Sequence, residues 1–140
     1  MLIRIIVVLF TIFFCSSCRG SVEFKTVPIF ELLSTDEYSQ SIVMTSGYLT
    51  PTPDGFFIYP YEHDALSRDF TREIMVIINT EFSKNFNKNC KKGMVLIKGT
   101  FFESGELTGG FKQISNIESI VMLSRRPNSL ERVDCLKRSE

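Results

Sequence analysis

His63 is the only histidine in the chain, and it sits inside the run Tyr61-Glu62-His63-Asp64-Ala65. An imidazole beside carboxylates is the starting material for an acid–base pair or a metal site. The spacing works against both. A zinc centre takes three or four protein ligands, and the side chains of adjacent residues diverge, so this trio makes a weak site at most. A Ser–His–Asp hydrolase would have to recruit His63 together with partners far away in the chain. No G-x-S-x-G, H-E-x-x-H, P-loop or paired C-x-x-C pattern is present. Glu103 and Glu106 flank a Ser-Gly pair and read as a solvated loop. No catalytic or metal-binding residue is assigned on these grounds, and no cofactor is expected.

Cys90 and Cys135 offer thiol chemistry of a different kind. In an oxidising compartment two cysteines form a disulfide, and closing a loop of this length stabilises by about 4 kcal/mol in the chain-entropy account. A free structural thiol is the alternative. A reactive thiol is the third reading, with Lys88, Lys91 and Lys92 nearby in sequence as activators. Tyrosine supplies apolar area with a polar tip. Tyr48, Tyr59 and Tyr61, with His63, are therefore the candidate ligand contacts, while alternate residues of the neighbouring Phe56–Tyr59 run fill a core.

The elements that must position these residues follow from periodicity. Ile29, Leu32 and Leu33 fall at helical spacing after Pro28, predicting a short amphipathic helix over 28–38. The period then changes to two. Residues 41–49 form a strand with Val43 and Leu49 on one face and Met44 and Tyr48 on the other, bent at Gly47. Thr50-Pro51-Thr52-Pro53-Asp54-Gly55 turns the chain into a return strand over 56–59. One helical turn is expected around Glu62–Leu66. The β-branched run 73–79 predicts a strand buried on both faces. Phe82 and Phe86 are four apart and place a helix over 80–89. Strands follow over 91–102, with a bend at Gly99, and over 111–123. Three strands, a helix and two strands is the order of a five-stranded, OB-like Greek-key barrel, all-β with short helices. A β-meander sandwich has the same periodicity.

The front of the chain sets the compartment. Arg4 precedes an apolar run, Ile5–Phe14, about half as long as the ~20 residues a membrane-crossing helix needs. Its length and basic flank predict a signal peptide over 1–17. Ser16 and Ser17 lead into Cys18 in a pattern that resembles a bacterial lipobox, with Cys15 where an aliphatic residue is usual. That resemblance implies lipidation of Cys18 as the mature N-terminus, with a membrane as partner. An ordinary secreted protein cut nearby is one alternative, and an uncleaved membrane anchor, which the short apolar run disfavours, is the other. A tether over 18–27, a barrel domain over 28–123 and a charged tail over 124–140 complete the organisation. The whole chain balances 16 basic against 16 acidic residues, and residues 1–17 hold one of the basic ones. The mature chain is thus near neutral, which disfavours nucleic acid as a partner.

The segments Ser46–Leu66, Ile74–Ile78 and Cys90–Phe102, with the Gly109–Ile120 run, resemble a family of small bacterial envelope lipoproteins with an OB-like fold. That family has no established activity, so the resemblance carries over no site residue. In lipoproteins generally, a residue other than Asp after the lipidated cysteine directs outer-membrane sorting in many Gram-negative bacteria; Arg19 fits this. Three functions are carried forward. The first is a lipid-anchored, non-catalytic module that binds an envelope protein, peptide or glycan through the barrel face and the loop over 60–72. The second is an envelope hydrolase or metal-dependent enzyme using His63. The third is a structural assembly component of the envelope.

Overall fold

The computed structural model describes residues 23–80, 83, 86, 90–104, 110–126 and 129–136. The leader 1–17, Cys18, the tether to residue 22, Phe82, the loop 105–109 and the end of the tail lie outside the described residues.

In chain order the elements are β1 (Lys25–Thr26), α1 (Ile29–Ser34), β2 (Ile42–Thr52), β3 (Gly55–Tyr59), α2 (Glu62–Ser67), a 3₁₀ turn (Phe70–Arg72), β4 (Ile74–Val76), β5 (Gly93–Glu103), β6 (Lys112–Arg126) and β7 (Ser129–Asp134). Antiparallel pairing joins β2 to β3, β3 to β4, β2 to β5 and β5 to β6, while β4 runs parallel to β6. The circuit β2–β3–β4–β6–β5 therefore closes back on β2. It is a closed five-stranded barrel of OB type. Thr80, Ser83 and Phe86 are helical, between the third and fourth barrel strands. The amide of Ser83 donates to the Asn79 carbonyl (3.1 Å) and that of Cys90 to the Phe86 carbonyl (2.9 Å). Phe86 is fully buried and meets Phe56 edge-on at 4.7 Å.

Alternation decides what is inside. Val43 and Leu49 of β2, Ile58 of β3, Val95 and Ile97 of β5 and Ile114 of β6 all point into the core. Closing so small a barrel needs strongly bent strands, and the bends fall where backbones crowd. The β5–β6 register slips between Lys98 and Thr100. A Cβ at Gly99 would come within 2.8 Å of Ile114 Cγ2 and of the Ser115 carbonyl oxygen. At Gly47 it would lie 2.9 Å from the Tyr59 carbonyl oxygen.

Several boundaries differ from the sequence expectation. α1 stops at Ser34 instead of reaching residue 38, because Thr35 turns extended and its hydroxyl accepts the Glu37 amide (3.1 Å). The run 73–79 is a strand only over Ile74–Val76, and it is not buried on both faces: Met75 is half-buried and Ile77 is exposed. The end of the tether is strand β1, parallel to β2. The charged tail contains β7, which pairs with β6 from Val121 to Arg126. Cys90 and Cys135 are joined by a disulfide with Cα atoms 5.4 Å apart, and the Cys135 amide donates to the Ile120 carbonyl (2.8 Å).

Candidate functional site

The outer face of β2, β3 and β4 is where the candidate tyrosines lie. Tyr48 pairs with Tyr59 across β2 and β3. Their rings are buried with Phe57 and Ala65 in a second apolar cluster that seats α2 on the barrel wall. Each phenol donates to a carboxylate: Tyr48 to Glu62 Oε1 (2.8 Å) and Tyr59 to Glu73 Oε2 (2.7 Å). Burial first, and then these bonds, push both phenol pKa values above the ordinary tyrosine range. Tyr48 and Tyr59 are thus enclosed, with hydroxyls already engaged.

Tyr61 and His63 stand apart from them, at the N-terminal end of α2. Tyr61 is 50% exposed. Its ring stacks on His63 (5.3 Å, 15° between planes) and meets Phe30 of α1 at 5.4 Å. His63 Nε2 is 3.3 Å from Asp64 Oδ1, but the His63 side chain is 74% exposed. The Ser67 hydroxyl, from the nearest serine or threonine in sequence, donates to the carbonyls of His63 (3.0 Å) and Asp64 (3.1 Å) and not to the imidazole. No cluster of three or more metal-ligating side chains occurs among the described residues.

The C-terminal end of α2 is built more firmly. Asp64 is 3% exposed, and its Oδ1 accepts from Arg72 Nη1 (3.3 Å). The Asp69 amide donates to the Asp64 carbonyl (3.1 Å). The Asp69 carboxylate accepts the Thr71 hydroxyl and, at 3.1 Å, the Thr71 amide. Those two bonds, hydroxyl first, hold the Asp69 carboxyl below the usual carboxylate range. This bracing fixes the 3₁₀ turn, and the turn projects Phe70 with 74% of its surface exposed. Arg68 caps α2 in the left-handed region (φ 50°), a conformation that costs a non-glycine residue about 1 kcal/mol. It makes no ion pair among the described residues.

Two clefts adjoin at Phe70. The larger, about 140 Å³, runs between Phe57, Met75, Leu33 and Phe111. The smaller, about 40 Å³, is bordered by Thr52, Asp54, Tyr59 and Arg68. Phe57, Phe70 and Glu73 line both. Lys112 reaches the larger cleft with its ammonium held by the Leu32 carbonyl (2.9 Å) and by Glu103 (3.4 Å). The resulting groove mixes apolar walls, chiefly Phe57, Phe70, Met75 and Phe111, with the polar groups of Thr52, Asp54, Arg68, Thr71, Glu73 and Lys112. A cleft of about 350 Å³ also opens beside β4 and β6, lined by Ile77, Asn116, Ile117 and Leu136.

Sequence reasoning did not single out Phe70, Phe111, Glu73 or Arg68. Phe70 had one usable signal: it is a lone aromatic in a polar connection, next to an Asp-x-Thr turn. No protein-family model, no curated protein and no solved structure matches this chain.

Proposed function

We propose that this protein is a non-catalytic binding module of the bacterial cell envelope. It is anchored through lipid on Cys18 after removal of residues 1–17, at the outer membrane, facing the periplasm or the exterior. Its ligand is an extended segment of an envelope peptide or glycan, laid along the groove between Phe57, Phe70 and Phe111. One observation carries the reading: a braced turn holds an aromatic side chain out in solvent between two clefts. The strand face and flanking loops of OB-type barrels are a recurrent place for extended ligands, although fold alone does not assign function. Aromatic faces exposed in this way bind by stacking and apolar burial.

The competing readings draw less support. An envelope hydrolase acting through His63 would need a nucleophile within reach, and Ser67 is turned to backbone carbonyls. A purely structural assembly component would also use an exposed aromatic, but it gives no reason for the two clefts that flank Phe70.

Site-specific photocrosslinking in the host cells tests the proposal. A photoreactive phenylalanine analogue at position 70 is expected to yield discrete adducts. The same analogue at Leu130, another exposed apolar position, on β7, is expected to yield none. Equal yields at the two positions, or none at position 70, would remove the groove as the ligand surface.

A further inference from the structure

The residues just before the barrel are fastened to its wall. Lys25 and Thr26 pair in parallel with Val43 and Met44. The Val27 amide donates to the Met44 carbonyl (2.9 Å), and the Val27 side chain is 3% exposed. Lys98 of β5 lies 4.4 Å over the Phe24 ring while ion-pairing with Glu118 of β6 (2.6 Å). Lys25 lies 5.6 Å over the Tyr38 ring. The chain is therefore bound to the barrel from Phe24 onward, and only residues 19–23 remain between Cys18 and this attachment.

That count limits reach. The six steps from Cys18 to Phe24 span at most about 20 Å when fully extended. A domain of this size has a radius of gyration of about 13 Å, so even full extension lets this segment reach only about one and a half such radii from its attachment.

Resting on the proposed lipid anchor, we infer that Phe24–Val27 is a strap seating the β1 flank of the barrel, with Lys25 and Lys98, against the phospholipid surface that holds the Cys18 acyl chains. The Pro53–Asp54 turn is held on the outward side. It lies about ten residues along β2 from the strap, up to about 30 Å of strand. A barrel held this close cannot search the depth of the compartment, and its ligand has to come to the membrane surface.

Paramagnetic broadening tests the orientation. The lipidated full chain is placed in phospholipid nanodiscs containing nitroxide-labelled headgroups. The amides of Lys25, Thr26, Val27 and Lys98 are expected to broaden strongly, and those of Asp54 and Gly55 much less. Equal broadening at both ends would overturn the strap while leaving the anchor standing. No broadening anywhere would remove the anchor, and the strap with it. A second measurement needs no lipid: in Cys18→Ser, the Val27 amide is expected to exchange as slowly as barrel amides. Exchange at the rate of a free peptide would overturn the strap on its own.

Discussion

At the scale of single residues, Tyr59 joins stability to the site. It packs under α2 and donates to Glu73, which also lines both clefts. A hydrogen bond to a charged acceptor, partly exposed, contributes about 1–2 kcal/mol, so Tyr59→Phe is expected to lower the unfolding free energy by that amount, read as a lower urea midpoint. The pH dependence has a definite sign. Tyr59 binds its proton more tightly folded than unfolded, because burial and then Glu73 disfavour the phenolate. Its contribution is whole below the unfolded tyrosine pKa of about 10 and is lost as pH rises through the folded value. Wild-type stability should therefore fall on raising the pH from 9 to 12, and less steeply in Tyr59→Phe, by urea titration at each pH. Arg68 gives the opposite case. Arg68→Gly relieves a left-handed residue and is expected to stabilise by about 0.5–1 kcal/mol, while adducts from position 70 diminish because the smaller cleft loses its cation. The sequence showed the tyrosines but not their fate, since whether a phenol meets a carboxylate fourteen residues away depends on how α2 docks.

At the scale of elements, the strands were legible because period two and period 3.6 are local properties. Gly47 and Gly99 were legible as bends for the same reason, and the structure explains why only glycine fits. At Gly99 the obstructing atoms include backbone, which cannot swing aside. Gly99→Ala is expected to cost about 1–3 kcal/mol through overpacking, read as a lower thermal midpoint. β1 and β7 were hidden, since two residues of strand have no periodicity and Ser-Leu-Glu-Arg-Val-Asp carries charge on an outer strand. β7 holds its place through pairing with β6 and the Cys90–Cys135 bond. The double variant Cys90→Ser, Cys135→Ser is expected to lose about 2–4 kcal/mol and to be cut by protease within residues 124–136 well before the barrel is.

At the scale of the whole molecule, element order suggested the barrel but is shared with a β-meander sandwich, and it is the pairing of β2 with β5 and of β4 with β6 that closes the circuit. The groove proposed to take a ligand was not legible in the sequence, because its parts come from β3, α1, the 3₁₀ turn and the residue before β6, and only the folded chain assembles Phe57, Leu33, Phe70 and Phe111. The proposed compartment would unite these scales: an oxidising envelope permits a disulfide, and the proposed lipid on Cys18 would give the inferred strap its purpose. Intact-mass measurement of the protein from fractionated host cells tests that claim most directly. The expected species begins at Cys18, carries acyl chains and the mass of an oxidised Cys90–Cys135 pair, and is found with the membranes. An unmodified chain beginning at Met1 in the soluble fraction would contradict the account.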